Sequence, residues 1–282
     1  MNLADFNTVE KLLTSAGFSF KKSLGQNFIV DPTVCPEMAA AALDENTGAL
    51  EIGPGIGVLT AELARVAKKV VSIELDERLK PILKKTLAEF DNCEVVFGDA
   101  MKLDLKSLID EKFSDCDRVV VCANLPYYIT SPIIMGLLEA KLPLDSIVVM
   151  VQKEAGERLC AKVGSRESGA VTVAANYWAD SEILFEVGRD SFMPPPKVDS
   201  VVIKLKIREN PPVKVNSEKD FFKLVKACFA QRRKTLSNTV SNSLGISKEK
   251  IGEALSKLGL PQTVRSEQLT MEELANLCNE LF

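Results

Sequence analysis

Histidine is absent from the 282 residues of this chain. Without an imidazole the sequence cannot build a Ser-His-Asp or Cys-His nucleophile system. It also lacks the side chain that most often serves as a general base, and a frequent zinc ligand. Any chemistry carried out by this chain must therefore need no strong general base.

Long apolar runs and paired cysteines are also missing. No apolar stretch approaches the ~20 residues that a membrane span needs, and the N-terminus has no signal-peptide core. The seven cysteines, an odd number, form no C-x-x-C pair. We therefore expect a cytoplasmic protein whose thiols are reduced and serve mostly as small core hydrophobes. With 46% hydrophobic residues, the chain can form one or two domains.

Basic residues are not in excess overall, but they are concentrated in one stretch. The net charge of the chain is −4, which argues weakly against a nucleic-acid partner. Residues 197–250, however, contain thirteen Lys/Arg and five Asp/Glu, a net charge of +8, which leaves −12 for the rest. Because phosphate binding depends on the charge of the facing surface, this stretch predicts a contact with nucleic acid.

Short apolar runs alternate with helical segments from Ala49 onward. The runs predict strands over residues 49–52, 69–74, 94–97, 118–123 and 146–151. Helices are predicted between them over residues 57–67, 77–90, 106–111 and 131–140. The runs are rich in Val and Ile without polar alternation, as in strands that are buried on both faces. This alternation predicts an α/β fold with a doubly wound, mostly parallel sheet.

The pattern changes towards the C-terminus. A helix over residues 168–178 and late strands over 182–187 and 200–207 precede Glu209-Asn210-Pro211-Pro212, which resembles a linker. The helices predicted beyond it cover about residues 217–230, 232–243, 247–258 and 270–281. We therefore predict an α/β domain over residues 1–208 and a smaller all-α domain over residues 209–282.

A glycine-rich turn, Gly53-Pro54-Gly55-Ile56-Gly57, ends the first buried strand and opens a helix. Glycine permits positive φ angles and a close approach of the backbone to a ligand, and a helix N-terminus presents free N–H groups. The spacing is G-x-G-x-G, whereas a dinucleotide site, the nearest alternative, has G-x-G-x-x-G. A turn of this kind is weak evidence alone, since any strand-to-helix connection can contain one.

Carboxylates stand at the ends of three neighbouring strands. Glu51 precedes the glycine turn, Glu74 ends the second strand, and Asp99 follows the third. Glu74 can accept both hydrogens of a ribose diol, and Asp99 can accept one from an adenine amine. Ligands of doubly wound sheets bind at the carboxyl ends of the strands. These acids, together with the glycine turn and with Asn124-Leu125-Pro126-Tyr127 at the fourth strand end, therefore predict a site for a sulfonium nucleoside. Each acid taken alone favours a solvated loop residue.

The turn Asn124-Leu125-Pro126-Tyr127 follows the fourth apolar strand. Asn124 offers a neutral side-chain oxygen, Leu125 offers a carbonyl whose direction Pro126 helps to fix, and Tyr127 offers a flat face for a base. These groups suit a planar amine that receives a methyl group. The reaction needs no strong base, because the attacking nitrogen becomes more acidic as the bond forms. The alternative is a strand-ending turn with a packed tyrosine.

Together these motifs resemble those of class I S-adenosylmethionine-dependent methyltransferases, and within them the bacterial small-subunit ribosomal RNA adenine N6-dimethyltransferases. The resemblance runs from about Lys21 to the C-terminus. The segments that carry it are 24–28, 51–60, 74, 98–100, 124–127, 152–154, 192–200 and 229–236. It implies a Rossmann-like methyltransferase sheet, S-adenosyl-L-methionine as cofactor, and dimethylation of two adjacent adenosines during ribosome assembly.

The resemblance also implies roles for individual residues. The implied cofactor contacts are Asn27, Ile29, Gly53, Glu74, Asp99 and Asn124. The implied catalytic residues are Asn124, Leu125, Pro126, Tyr127 and Phe192. Tyr127 and Phe192 are expected to sandwich the target base after it leaves its stack. A core plug is the alternative for Phe192, and without the resemblance Asn27 and Ile29 look like ordinary loop and core residues.

The basic run Arg232-Arg233-Lys234 is expected to contact RNA phosphates at the start of a helix, and a solvated helix face is the alternative. The expected partner is small-subunit ribosomal RNA, within an immature small ribosomal subunit, with no membrane and no metal. Two other functions stay open: a methylase of large-subunit ribosomal RNA or DNA adenine, and an assembly factor whose methylation is dispensable.

Overall fold

The computed structural model describes residues 3–18, 27–231 and 233–282. Its strands are β1 (Phe28–Ile29), β2 (Thr47–Ile52), β3 (Lys69–Glu74), β4 (Cys93–Phe97), β5 (Arg118–Asn124), β6 (Ser146–Gln152), β7 (Ala179–Val187), β8 (Phe192–Met193) and β9 (Ser200–Ile207). Its first helices are α1 (Phe6–Ser15), α2 (Val34–Ala42), α3 (Val58–Val66), α4 (Lys80–Thr86), α5 (Leu105–Lys112) and α6 (Thr130–Glu139). The later helices are α7 (Lys153–Cys160), α8 (Ala170–Trp178), α9 (Glu218–Cys228), α10 (Leu236–Leu244), α11 (Lys248–Lys257) and α12 (Met271–Leu281). Among the described residues, no helix has the length and apolarity to cross a bilayer.

Seven strands form one sheet in the order β4-β3-β2-β5-β6-β9-β7. The pairs β4–β3, β3–β2, β2–β5 and β5–β6 are parallel, whereas β6 and β9 pair antiparallel. Every residue of β2 is buried, as are the five central residues of β5, because helices cover both faces of a parallel sheet. The predicted α/β fold with a mostly parallel, doubly wound sheet is thus confirmed.

The strand order reverses between β2 and β5. From β2 the chain proceeds outward through β3 to β4, and β5 then returns to the other side of β2. Helices that follow strands on the two sides of such a point diverge and leave a crevice at the carboxyl ends of the strands. The glycine turn leaves β2 at this crevice, and Asn124 is the last residue of β5.

A second, two-stranded ladder joins the N-terminal segment to the start of a proline-rich loop, residues 191–197. In this ladder Phe28 is opposite Met193 and Ile29 is opposite Phe192, in antiparallel register. Asp31 adds to this connection, because its carboxylate accepts a hydrogen bond from the Ser191 hydroxyl at 3.0 Å. The sequence did not predict this ladder, since two-residue strands show no periodicity.

The chain divides into two compact units. The first runs to Gly156 and resumes over Glu182–Ile207, and the second comprises Glu157–Ser181 and Arg208–Phe282. The predicted boundary at residue 208 lies next to the last change of unit, but Glu157–Ser181, assigned to the α/β domain from the sequence, packs with the helical unit. The reason is an aromatic core, in which the ring of Tyr177 lies 5.2 Å from that of Phe221 and 5.1 Å from that of Phe222.

Candidate active site

A cavity opens at the carboxyl ends of β2, β3, β4 and β5, all within the first unit. Its lining includes the predicted cofactor contacts and the whole of the predicted catalytic turn: Asn27, Ile29, Gly53, Glu74, Asp99, Asn124, Leu125, Pro126 and Tyr127. The other residues that matter below are Phe28, Glu51, Gly55, Leu75, Met101 and Tyr128. The fold thus brings together residues that are separated by up to a hundred positions in the sequence.

The glycine turn forms one wall of this cavity. Gly53, Gly55 and Gly57 have φ angles of 75°, 58° and 89°, a region that L side chains rarely adopt. A Cβ added to Gly53 would meet no atom within 4 Å, so a side chain there would enter open space at the turn. The backbone is therefore shaped for close approach by a ligand.

Glu74 is the carboxylate at the end of β3, and the backbone holds it in one orientation. The Asp76 N–H donates to Oε1 at 2.7 Å, and the Gly55 N–H donates to Oε2 at 3.2 Å. Its side chain is buried, and desolvation raises its pKa against the lowering effect of these bonds. Each carboxylate oxygen has two lone pairs, so acceptor sites remain for a diol.

Glu51 lies beneath the glycine turn and is fully buried. Its Oε2 accepts hydrogen bonds from the Thr60 and Ser72 hydroxyls, both at 2.6 Å. Burial raises the pKa of Glu51 to about 7, the two hydroxyls oppose that rise, and the charge of Glu74 adds to it. Glu51 is thus a solvent-shielded acid that titrates near neutral pH.

Asp99 follows β4 and has a different environment, since it is part-exposed. Its carboxylate accepts a hydrogen bond from the Met101 N–H at 3.0 Å and lies 3.1 Å from the Lys102 ammonium. The backbone bond and then Lys102 hold the pKa of Asp99 below its usual value. Asp99 is therefore ionised at neutral pH and available as an acceptor.

Asn124 connects the end of β5 to the N-terminal segment. Its side-chain Nδ2 donates to the Asn27 carbonyl at 3.3 Å. This bond orients the amide and assigns Nδ2 to the protein, which leaves Oδ1 as the acceptor for a ligand. The Leu125 N–H donates to the Met150 carbonyl at 3.2 Å, so the next strand of the sheet fixes the backbone of the turn as well.

The rest of the turn is held just as firmly. The Pro126 carbonyl accepts from the Ile129 N–H at 3.1 Å and from the Thr130 hydroxyl at 3.2 Å. The Tyr127 hydroxyl lies 2.7 Å from that of Ser200 at the start of β9. The hydroxyl end of the Tyr127 side chain is thus held by β9.

Phe192 is the one predicted catalytic residue that does not line the cavity. Only 3% of its surface is exposed, and it belongs to the core of the first unit. In this structure Phe192 is a core residue, which is the alternative that the sequence left open. The pairing of Phe192 with Ile29 explains this placement, because β8 closes against β1.

Three exposed hydrophobic residues line the cavity and were not singled out from the sequence. Leu75, Met101 and Tyr128 are 52%, 51% and 55% exposed. Each is close in sequence to a predicted site residue: Leu75 follows Glu74, Met101 is two positions after Asp99, and Tyr128 follows Tyr127. Their position close after strand ends that carry predicted site residues was a usable signal.

The predicted RNA-binding run lies in the helical unit. Arg232 is outside the described residues, whereas Arg233 and Lys234 are exposed. They precede α10, which begins at Leu236, so the expectation that this run opens the helix is wrong. The Lys234 N–H donates to the Gln231 carbonyl at 3.1 Å, and this bond forms a turn ahead of the helix.

Two solved structures are similar to this chain in both fold and sequence. A crystal structure of a dimethyladenosine transferase from Plasmodium falciparum matches 88% of this chain and 95% of its own, with a TM-score of 0.73 and 30% identity. The crystal structure of the 23S rRNA methyltransferase ErmE matches 90% of this chain and 99% of its own, with a TM-score of 0.66 and 25% identity.

The sequence comparisons agree with the structural ones. A protein from Geobacillus thermodenitrificans named "Ribosomal RNA small subunit methyltransferase A" is 48% identical over all of this chain and 97% of its own length. A protein of that name from Bacillus licheniformis is 48% identical over 96% of this chain and 94% of its own length. The family model described as "Ribosomal RNA adenine dimethylase" matches residues 17–281. The resemblance seen in the motifs is confirmed, and the chain belongs to the ribosomal RNA adenine dimethylase family of methyltransferases.

Proposed function

We propose that this enzyme transfers methyl groups from S-adenosyl-L-methionine to N6 of adenosines in small-subunit ribosomal RNA. It would dimethylate two adjacent adenosines of an immature small subunit, in the cytoplasm. The observation that carries the proposal is the hydrogen bond from Asn124 Nδ2 to the Asn27 carbonyl, which presents an oriented amide oxygen beside the glycine turn. The small-subunit name of relatives with up to 48% identity supports the choice of RNA.

The residues of the cavity fit the cofactor. Positive φ angles at Gly53 and Gly55 let the backbone of the glycine turn come close to the cofactor. The buried carboxylate of Glu74 suits the two hydroxyls of a ribose. Asp99, ionised and part-exposed, suits an adenine amine. Leu75 and Met101 follow these two acids, and we assign them to the faces of the adenine ring. When bound, S-adenosyl-L-methionine supplies an electrophilic sulfonium methyl group.

The catalytic turn is suited to hold the attacking amine. Asn124 Oδ1 and the Leu125 carbonyl accept the two hydrogens of an adenine N6 amine, which aims the nitrogen lone pair at the methyl group. After the first methylation the amine keeps one hydrogen, so one of the two acceptors must suffice for the second. After attack the nitrogen is cationic and acidic, so it can release its proton to water, and the absence of histidine is no obstacle.

Tyr127 of the turn and the adjacent Tyr128 are assigned to the bases of the RNA. Tyr127 is tied to Ser200 and offers a fixed face for the target base, while Tyr128 is exposed and offers a platform for a neighbouring base. The basic turn at Arg233 and Lys234 contacts phosphates in this proposal.

Transfer of labelled methyl groups to separated small and large ribosomal subunits tests the proposal. We expect label in the small subunit alone, recovered as N6,N6-dimethyladenosine after nucleoside analysis. Label in the large subunit or in DNA would contradict the assigned substrate. To separate catalysis from an assembly role, binding to immature small subunits is measured with a cofactor analogue that cannot transfer its methyl group.

A further inference from the structure

Hydrogen bonds from two sides hold the carboxylate of Glu74. On one side the Asp76 N–H donates to Glu74 Oε1 at 2.7 Å. The guanidinium of Arg78 in turn donates two hydrogen bonds to the Asp76 carboxylate, one to each oxygen. Nε of Arg78 lies 2.8 Å from Oδ1, and Nη2 lies 2.5 Å from Oδ2. On the other side the Gly55 N–H donates to Glu74 Oε2 at 3.2 Å.

Two aromatic rings connect Arg78 back to Gly55. The guanidinium carbon of Arg78 lies 4.8 Å from the ring centroid of Phe18, within the range of a cation–π contact. The centroids of Phe18 and Phe28 are 6.2 Å apart. Phe28 packs so closely on the glycine turn that a Cβ on Gly55 would stand 2.9 Å from its Cε1. The successive contacts therefore return to their starting residue. We call this ring of contacts the circuit, and its members are Glu74, Asp76, Arg78, Phe18, Phe28 and Gly55.

We propose that Arg78 is a positioning residue for cofactor binding. Through Asp76 it fixes the carboxylate of Glu74, and through Phe18 and Phe28 it fixes the backbone of the glycine turn. The inference rests on the proposed function in taking Glu74 as the group that binds the ribose. Arg78 itself does not line the cavity, so it acts through its neighbours.

The ion pair with Arg78 offsets the charge of one of two neighbouring buried carboxylates. Asp76 is 5% exposed, and its charge lies next to Glu74, whose pKa it raises in addition to the larger effect of burial. Removing a cation that pairs with a buried carboxylate is costly. The planar fork of arginine engages both Asp76 oxygens while its face lies against Phe18, a geometry that lysine cannot reproduce.

Titration of the full-length protein with S-adenosyl-L-methionine by calorimetry tests the inference. We expect Arg78→Ala to raise Kd and the KM for the cofactor about tenfold, the loss expected from one hydrogen bond to a charged group. The kcat at saturating cofactor should stay within twofold, because Arg78 touches neither the amine nor the methyl group. Arg78→Lys should fall between wild type and Arg78→Ala, and it keeps the test open if the alanine variant does not fold.

A double-mutant cycle with Phe18 examines the circuit itself. Phe18→Ala should weaken cofactor binding by a smaller factor than Arg78→Ala. The double variant should lose less than the product of the two single factors, because either change opens the same circuit. A purely structural contribution of Arg78 would lower the thermal midpoint without this coupling in Kd.

Arg65 provides a matched control. Its guanidinium carbon lies 5.5 Å from the Phe90 ring, and it pairs with Glu62, so Arg65→Ala removes the same kinds of contact away from the cavity. We expect its Kd for the cofactor to stay within twofold of wild type. A folded Arg78→Ala variant with unchanged Kd, or independent effects in the double variant, would overturn the inference alone. Absence of binding by the wild type would overturn the proposed function and the inference with it.

Discussion

The side-chain nitrogen of Asn124 donates to the backbone carbonyl of Asn27 at 3.3 Å, across 97 positions of sequence. This bond places the amide at the crevice between β2 and β5 and determines which of its two ends faces a ligand. An asparagine whose amide nitrogen faces Asn27 turns its oxygen away from that carbonyl, and an amine with hydrogens to donate requires such an acceptor.

The first prediction concerns this amide. Asn124→Ala should lower methyl transfer by a factor of about 100 or more, as loss of one preorganised polar group at a reacting centre does. The measurement is kcat with small subunits at saturating cofactor. Asn92→Ala is the control, since Asn92 also donates its Nδ2 to backbone carbonyls, those of Ala64 and Ala67, but does not line the cavity. Turnover of Asn124→Ala within a factor of two of wild type would contradict the proposed hydrogen bond from the amine to Asn124 Oδ1.

The second prediction concerns Glu74 and pH. Glu74→Gln should weaken cofactor binding about ten- to a hundredfold at pH 8, because hydrogen bonds to a charged acceptor are lost. Burial raises the pKa of Glu74, so the affinity of the wild type should fall as the pH is lowered through that raised pKa and the carboxylate is protonated. The affinity of the variant should change little over the same range. Calorimetric titrations from pH 8 to pH 5 decide the matter, and parallel curves for the two proteins would remove Glu74 from the site.

The parallel sheet could be predicted closely from the sequence. The bounds of β3 and β9 agree with the predicted strands to the residue, because continuous Val- and Ile-rich runs are bounded there by charged or polar residues. The single helix predicted over residues 77–90 is instead a 3-10 turn, Glu77–Leu79, followed by α4. Asp76 accepts a hydrogen bond from the Arg78 N–H at the start of that turn, and α4 ends at Thr86.

The candidate site could be predicted only in part, because some of its residues are placed by contacts between distant segments. The acids and the catalytic turn could be predicted because each follows a strand, and parallel strands bring their carboxyl ends to one edge. Asn27 and Ile29 had no local signal, since their position depends on the pairing of Phe28–Ile29 with Phe192–Met193. The same pairing places Phe192 in the core, whereas the local sequence left both a base-stacking residue and a core plug open.

The third prediction concerns Glu51 and stability. Its pKa is raised by burial to about 7 from an ordinary value of 4.5, so the folded state binds a proton more tightly than the unfolded state. Its contribution to stability is therefore fully present below pH 4.5 and is lost as the pH rises to about 7, an effect of about 3 kcal/mol. Glu51→Gln should lack this loss. Denaturant unfolding at pH 5 and pH 8 measures it, and an equal change for both proteins between the two pH values would show that Glu51 is not the titrating group.

The fourth prediction concerns the exposed ring of Tyr128. Stacking of a base on an aromatic side chain is worth about 1–3 kcal/mol, so Tyr128→Ala should raise the KM for small subunits roughly five- to a hundredfold. Tyr128→Phe should restore most of the loss, and cofactor affinity should not change in either variant. Phe6, 49% exposed on α1, does not line the cavity, and Phe6→Ala is the control for loss of an exposed ring. A KM for Tyr128→Ala equal to that of Phe6→Ala would exclude Tyr128 as a stacking platform.

The last prediction concerns the basic turn ahead of α10. Arg233 and Lys234 are exposed in a stretch of net charge +8, and α10 begins only at Leu236, so their side chains are not committed to a helix face. If each neutralises one phosphate, the double variant Arg233→Ala/Lys234→Ala should lower the slope of log affinity against log salt by about 1.4–1.8 units. The affinity for the free cofactor should stay unchanged.

RNA affinity measured across a salt series tests the role of this turn. Lys84→Ala/Lys85→Ala is the matched control, because it removes two adjacent exposed charges from α4, outside the basic stretch, and should leave the slope unchanged. A reduced affinity with an unchanged slope would assign Arg233 to packing through its aliphatic stem. Equal slopes and equal affinities for both double variants and wild type would mean that the turn is only a solvated surface. The phosphates of the RNA would then have to be bound by other basic residues of the 197–250 stretch.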